Sequence, residues 1–193
     1  KKKKNKADQR TIDNCKTLVA MLCPQRADSY GTWIEVGWAL HNTDRSLLQV
    51  WIDFSKKCPE KFSEKECEKL WTHMKPGLTI RSLQSCAKED NPHKYSEYMK
   101  TEFEELLKKS LSGDTYSVAK ALYTKYFDRF VCASIKHNTW FEFNNHKWNR
   151  VDGGYTLMKK ISEEFVNDYM KVSSEYNLKA INTTGIEKED LQK

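Results

Sequence analysis

The chain has 193 residues, of which 38% are hydrophobic and 12% aromatic, so it can form one domain or two small ones and is not disordered throughout. No apolar run approaches the roughly 20 residues of a membrane span, and the N-terminus lacks a signal-peptide pattern, which predicts a soluble intracellular protein. Five lysines at positions 1–4 and 6 supply most of the net charge of +6, because without them the 33 basic residues fall to 28 against 27 acidic ones. Residues 1–12 are therefore predicted to be a basic tail or linker.

Residues 13–90 show the periodicity of an all-α bundle. Side chains at Thr11–Asp13 can cap a first helix, from Asn14 to about Leu22. Gly31 opens a second helix, and Ser63 and Thr79 begin the fourth and fifth. The positions predicted to be buried are Trp33, Val36, Gly37 and Leu40, then Leu47, Val50, Trp51 and Phe54, then Cys67, Leu70, Trp71 and Met74, and finally Ile80, Leu83 and Ala87.

Residues 91–113 are predicted to form a connecting helix, and residues 114–193 a second domain. The connecting helix runs from about His93 to Leu111, and Asp114 or Thr115 caps the next one. That helix presents Ala119, Leu122, Tyr123 and Tyr126 on its apolar side.

Three short β-prone segments follow, at Phe130–Ile135, Thr139–Phe143 and Lys147–Val151. In the middle strand, Phe141 and Phe143 point to one side and Trp140 and Glu142 to the other. A final helix from about Thr156 buries Met158, Ile161, Phe165 and Tyr169. The predicted fold class is thus mainly α: an N-terminal all-α helical bundle followed by a small α+β winged-helix-like domain with a three-stranded antiparallel meander.

The six cysteines contain no C-x-x-C pair, and Cys15, Cys67 and Cys86 fall on apolar helical faces. They are interpreted as reduced core thiols, and no structural zinc is expected. The alternative is a metal site that combines Cys58 or Cys67 with His73. The chain also lacks a phosphate-binding loop, a paired-carboxylate metal motif and a nucleophile motif. We therefore predict no catalytic residue, no metal site and no cofactor in this chain.

Basic and aromatic residues around the meander are the candidates for nucleic-acid contact, because a hairpin can place cations on phosphates and a ring against a sugar or base. The predicted nucleic-acid-binding residues are Lys136, Lys147, Trp148, Arg150 and Arg81. Trp148 and Arg150 should share one face of a regular strand, with Lys147 on the other. In the alternative interpretation, Trp140 and Trp148 are cross-strand packing partners. A second hypothesis places a basic surface on the first domain, formed by Arg26, Lys56, Lys57, Lys75 and Arg81.

Two sets of segments carry a family resemblance. Trp33–Leu40, Trp51–Ser55, Trp71 and Leu78–Leu83 resemble the primase C-terminal domain of archaeo-eukaryotic-type primases from viruses and plasmids, over about Asn14–Asp90. Ala119–Tyr123, Tyr126, Arg129–Cys132, Asn138–Phe143 and His146–Trp148 resemble the domain that precedes a superfamily-3 helicase. In this order, the pair is similar to the middle region of the primase-helicases of nucleocytoplasmic large DNA viruses, of poxvirus, asfarvirus or mimivirus type.

The resemblance implies a parent protein with a primase domain upstream and a helicase ring downstream, which uses ATP and Mg. It implies single-stranded or forked DNA as a partner, a homo-hexamer formed through the helicase, no membrane, and a viral replication site in the host cytoplasm. The chain itself would be a non-catalytic middle segment that assists template handling and couples primer synthesis to the NTP-driven ring. The alternatives are a free-standing nucleic-acid-binding or scaffolding adaptor and an enzyme with an unrecognised zinc site.

Overall fold

The computed structural model describes residues 6–190, with the backbone alone for position 180 and positions 182–190. The structure is 67% helical, and its described part contains one three-stranded antiparallel sheet. The predicted class, mainly α with a small β-containing domain, is confirmed. Two compact units divide the chain, residues 1–98 and residues 99–193.

In the described part of the first unit, every regular element is a helix. Its helices are α1 (Gln9–Ala20), α2 (Pro24–Asp28), α3 (Tyr30–Thr43), α4 (Leu48–Ser55, after a 3₁₀ turn at Arg45–Leu47), α5 (Glu64–Trp71) and α6 (Ile80–Asp90), and α7 (Pro92–Ser110) begins in it. Ser63 and Thr79 cap α5 and α6 as predicted, and Thr79 also forms a capping box with Ser82.

The predicted start of the first helix is wrong. The first helix begins at Gln9, because Asp8 rather than Thr11–Asp13 is the cap: the Asp8 carboxylate accepts a hydrogen bond from the Thr11 amide at 2.8 Å. Of the predicted tail, residues 1–5 lie outside the described part of the chain. Pro24 is the first residue of the short α2, a position that proline suits.

Three tryptophans form the centre of the first unit. Trp51 is fully buried and stacks on Trp33 and Trp71, with ring centroids 4.7 and 5.7 Å apart. Gly37 makes this packing possible, because a Cβ atom there would lie 2.6 Å from Trp51 Cε2. Other predicted core residues are also buried, among them Val36, Leu40, Leu47, Phe54, Cys67, Leu83 and Ala87.

The second unit contains the end of α7, then α8 (Thr115–Tyr126), β1 (Phe130–Ser134), β2 (Thr139–Asn144), β3 (Lys147–Asp152), α9 (Tyr155–Lys160), a π-helical turn at Ile161–Phe165, and α10 (Val166–Asp190). Asp114 caps α8, as predicted. The core consists of Leu106, Leu107, Ala121, Tyr126, Phe130, Phe165 and Val172.

Three residues predicted to face this core are exposed instead: Ala119, Tyr123 and Met158. In α8 the inward side is one residue out of phase with the prediction, so that Val118, Ala121 and Leu122 pack on the core. In α9 it is Leu157 rather than its neighbour Met158 that packs inward.

The strand order is β1-β2-β3, and each strand end lies within one residue of its predicted position. Asn145 and His146 both have positive φ, as the two central residues of a type I′ hairpin turn require. The register pairs Phe143 with Trp148 and Phe141 with both Arg150 and Val131. These five residues define the outer face of the sheet, while Phe130, Cys132, Trp140, Glu142 and Val151 define its inner face.

Candidate nucleic-acid interface

The outer face of the sheet carries aromatic side chains in contact with solvent. Trp148 is 49% exposed and Phe143 41% exposed, and their ring centroids lie 5.2 Å apart with an angle of 55° between the planes. Arg150 lies two residues along the strand from Trp148, on the same face and opposite Phe141. The predicted pairing of Trp148 and Arg150 on one face is therefore confirmed.

Hydrogen bonds and an ion pair hold the hairpin beneath this face. The Phe143 amide donates to the Arg129 carbonyl oxygen at 2.7 Å, and the Asn149 side-chain amide donates to the Asn144 and Lys147 carbonyl oxygens at 3.3 Å. On the inner face, the buried Glu142 carboxylate accepts from the Arg129 guanidinium at 2.9 Å. The rings of Phe143 and Trp148 thus project from a backbone that is fixed on both sides.

The other predicted nucleic-acid-binding residues do not all converge on Trp148. Lys147 is the first residue of β3 and falls on the opposite side of the strand. Lys136 lies in the β1–β2 turn, at the far end of the sheet from the β2–β3 turn, and Arg81 lies in α6 of the first unit. Within the described residues, no ion pair or side-chain hydrogen bond engages the cationic groups of Lys136, Lys147 or Arg150.

The alternative in which Trp140 and Trp148 pack against each other is wrong, because they lie on opposite faces of the sheet. Trp140 pairs with Cys132 and Val151, and its indole N–H donates to Asn138 Oδ1 at 2.8 Å. The partner of Trp148 is Phe143, which strand alternation puts on the same face as Phe141 without linking it to Trp148. The missing information was the register of the hairpin.

Three members of the hypothetical basic surface on the first unit have internal partners instead. Arg26 donates to Asp90 at 2.6 and 2.9 Å and to Glu89 at 3.2 Å, and this guanidinium lowers the pKa of Asp90 to about 2. The Lys57 ammonium donates to the Leu22 carbonyl oxygen at 2.8 Å, and burial lowers its pKa. Lys56 pairs with Asp53 at 2.8 Å. The basic-surface hypothesis is wrong for Arg26, because two carboxylates neutralise its charge. The side chains of Lys56 and Lys57 are exposed, so their place on such a surface stays a prediction.

The cysteines predicted to be core thiols include two that are fully buried. Cys15 is 0% and Cys67 1% exposed, and burial raises the pKa of the Cys15 thiol to about 12. Cys67 Sγ contacts Ser55 Oγ at 3.7 Å, whereas His73 Nδ1 contacts the Lys69 carbonyl oxygen at 3.1 Å. Across the residues that the structure describes, no group of three or more His, Cys, Asp or Glu side chains is arranged to hold a metal ion.

No helix in the described part of the chain is both long and apolar enough to cross a membrane.

Comparison with known families identifies the helical unit. Residues 15–87 match the Primase C terminal 2 (PriCT-2) family, almost the whole segment in which the sequence resembles a primase C-terminal domain. The chain thus carries a PriCT-2 primase C-terminal domain, and the family resemblance is confirmed.

Relatives in nucleocytoplasmic large DNA viruses extend this match into the second unit. A protein of Acanthamoeba polyphaga mimivirus named as a helicase is 44% identical over 164 residues, which is 83% of this chain and 17% of the relative. A protein of Frog virus 3 also named as a helicase is 32% identical, over 76% of this chain and 15% of the relative. A protein of African swine fever virus named as a primase is 28% identical, over 88% of this chain and 20% of the relative. The chain therefore spans only 15–20% of the length of these relatives. Its similarity to viral proteins named as primases and helicases supports a role in replication.

Proposed function

We propose that this chain is a non-catalytic segment of a viral replicative primase-helicase, in which it holds template DNA and couples primer synthesis to an NTP-driven helicase ring. The observation that carries the proposal is the outer face of the sheet, where Trp148, Phe143 and Arg150 are exposed together. Aromatic rings with a nearby cation on an open sheet are a common surface for nucleic-acid contact.

The coupling role is supported by the two kinds of name that the relatives carry. Viral proteins named as helicases and as a primase each contain a segment similar to this one. A segment common to both kinds of protein is suited to a step common to both activities, which is contact with the template. We propose that ATP and Mg act elsewhere in the parent protein, and that the isolated chain neither hydrolyses ATP nor makes primers.

The first test is the salt dependence of DNA binding by the whole chain. In fluorescence anisotropy titrations, we expect weak binding with little sequence preference. Each phosphate contact contributes about −0.7 to the log–log salt slope on single strands and about −0.9 on duplex. If Lys147 and Arg150 each hold one phosphate, the double substitution Lys147→Gln, Arg150→Gln should reduce the single-strand slope by about 1.4.

A matched control removes the same charge elsewhere in the second unit. Lys159→Gln with Lys171→Gln places both changes on the final helices, and the slope should stay at the wild-type value. Equal losses in the two double variants would show that overall charge, rather than the sheet, holds the DNA. If the wild-type chain binds neither single strands nor duplex, the proposed function is wrong.

The N-terminal lysines provide a second, independent contribution to affinity. Deleting Lys1–Lys6 should flatten the salt slope further, because these lysines supply most of the net charge. An unchanged slope would assign the phosphate contacts entirely to the folded surface. Single changes at Lys136 and Arg81, measured in the same titrations, test the predicted contacts in the β1–β2 turn and in the first unit.

A further inference from the structure

We propose that the outer face of the sheet is a stacking platform for unpaired bases, so that its ligand is single-stranded nucleic acid rather than duplex. This proposal rests on the proposed function and narrows it. It also adds Phe143 to the site as a residue that contacts the ligand.

The position of the rings favours unpaired bases. The Asn144–Lys147 pair closes the hairpin, and the Phe143–Trp148 pair is the next one behind it, so the rings lie on the face of the sheet and not at the tip of the turn. The tip consists of Asn145 and His146. A hairpin that enters a groove contacts DNA with its tip, whereas rings on an open face need a base whose own face is uncovered. In a duplex, neighbouring base pairs cover those faces.

The exposure and tilt of the two rings favour contact with two separate bases. Each ring is only about half covered, at 49% and 41% exposure, and the two ring centroids lie 5.2 Å apart. With an angle of 55° between their planes, the rings present two differently oriented surfaces. This arrangement suits two successive bases that are splayed apart rather than stacked in a helix.

The charges on the outer face match an anionic strand at one end. Arg150 lies two residues from Trp148, a separation of about 6.6–6.8 Å along a strand. This reach suits the phosphate next to a base on Trp148. The Asp152 carboxylate is on the same face but four residues from Trp148, at the opposite end. Phosphate is therefore favoured at the Trp148 end, which distinguishes this surface from an apolar face built for another protein.

The decisive experiment compares oligothymidylate with a duplex of equal length, at one salt concentration, on the full chain. Trp148→Ala should weaken single-strand binding about 5- to 150-fold, and Phe143→Ala should weaken it in the same direction, because stacking is lost. Trp148→Phe keeps a ring and should recover most of the affinity. Ile135→Ala is the matched control, since Ile135 is 91% exposed in the neighbouring β1–β2 turn but is not on the outer face. Duplex affinity should be lower than single-strand affinity and change little in all four variants.

A second measurement does not depend on the folding of an alanine variant. Oligothymidylate should quench the tryptophan fluorescence of the wild-type chain, and this quenching should be largely absent in Trp148→Phe, because a stacked base quenches only the ring that it covers. Near-ultraviolet circular dichroism checks that each variant is folded.

Three results would overturn the proposal. In the first, the wild-type chain binds DNA but a folded Trp148→Ala variant binds oligothymidylate with unchanged affinity. In the second, duplex binds at least as well as the single strand and loses as much affinity in Trp148→Ala, which would indicate a wing in a groove. In the third, Trp148→Ala dissociates an oligomer of the chain and leaves DNA affinity intact, which would make the face a contact between copies. All three leave DNA binding itself in place, so they differ from a failure of the proposed function.

Discussion

Tryptophan has opposite roles in the two units of this protein. In the first unit, Trp51 is fully buried between Trp33 and Trp71, and its indole N–H donates to the Trp33 carbonyl oxygen at 3.3 Å. In the second unit, half of Trp148 is exposed beside a ring that is nearly as exposed. The first arrangement stabilises a fold, whereas the second leaves surface free for a ligand. Equal truncations in the two units should therefore affect different properties.

The largest expected effect is on the first unit. Trp51→Ala removes a fully buried ring from the centre of the aromatic stack and should lower the free energy of unfolding by about 3–5 kcal/mol. Denaturant unfolding followed by near-ultraviolet circular dichroism measures the change. A loss below about 1 kcal/mol would contradict the view that this stack is the core of the unit.

Gly37→Ala tests how tightly this aromatic stack is packed, because it adds an atom to the core instead of removing a ring. An added Cβ would lie 2.6 Å from Trp51 Cε2 and 2.7 Å from Met74 Cε, so one ring and one flexible side chain must move. We expect a loss of about 1–3 kcal/mol, typical of an overpacked core. Gly31→Ala is the control in the same helix, because nothing lies within 4 Å of its added Cβ, and it should leave stability unchanged or raise it by up to about 1 kcal/mol. Equal effects at the two glycines would show that helix propensity, not packing, decides both.

Acid should weaken the first unit through Asp90. The Arg26 guanidinium lowers the pKa of this carboxyl from 3.8 to about 2, and the Asp90 side chain is only 7% exposed. Because the pKa is lower in the folded state, the stabilisation is complete above the unfolded pKa near 4 and is lost as the pH falls to about 2.

Asp90→Asn should therefore cost about 2 kcal/mol near neutral pH, and the difference from wild type should shrink as the pH falls from about 4 to about 2. Unfolding curves recorded at several pH values measure it. Asp53→Asn is the control, because its pair with Lys56 is more than half exposed and contributes little. A gap between Asp90→Asn and wild type that stays constant down to pH 2 would assign the loss to packing rather than to charge.

Local patterns in the sequence predicted most of the regular structure. The helix caps at Ser63, Thr79 and Asp114 and the three strands depend on neighbouring residues, and all of them appear where they were predicted. The wrong prediction about Arg26 depends on a partner that is distant in the chain. Arg26 and Asp90 are 64 positions apart, so no short-range periodicity reveals that this arginine is an internal partner rather than a surface cation.

The candidate site shows the same limit within one hairpin. Alternation placed Trp148 with Arg150 and Phe141 with Phe143, but only the register brings the two sets onto one face. Glu142 shows the same limit, because its neighbours in the sequence do not indicate that this charged strand residue is buried. It is buried because Arg129, 13 positions earlier, neutralises it.

The smallest expected effect on stability is that of Trp148→Ala, and it completes the comparison between the units. Cross-strand aromatic pairs contribute roughly 0.2–1 kcal/mol, and a ring that is half exposed in the folded state has less buried surface to lose than Trp51. We therefore expect the second unit to lose less than about 1 kcal/mol, measured by denaturant unfolding of the full chain beside the Trp51→Ala variant. A loss of 3–5 kcal/mol would instead assign Trp148 to a core, as for Trp51.

Arg150→Ala separates the two roles further, because an exposed arginine without a partner in the described structure should affect DNA affinity and leave stability unchanged. If Trp148→Ala unfolds the second unit while Arg150→Ala leaves DNA affinity untouched, the outer face is structural and its role as a DNA-binding surface should be abandoned.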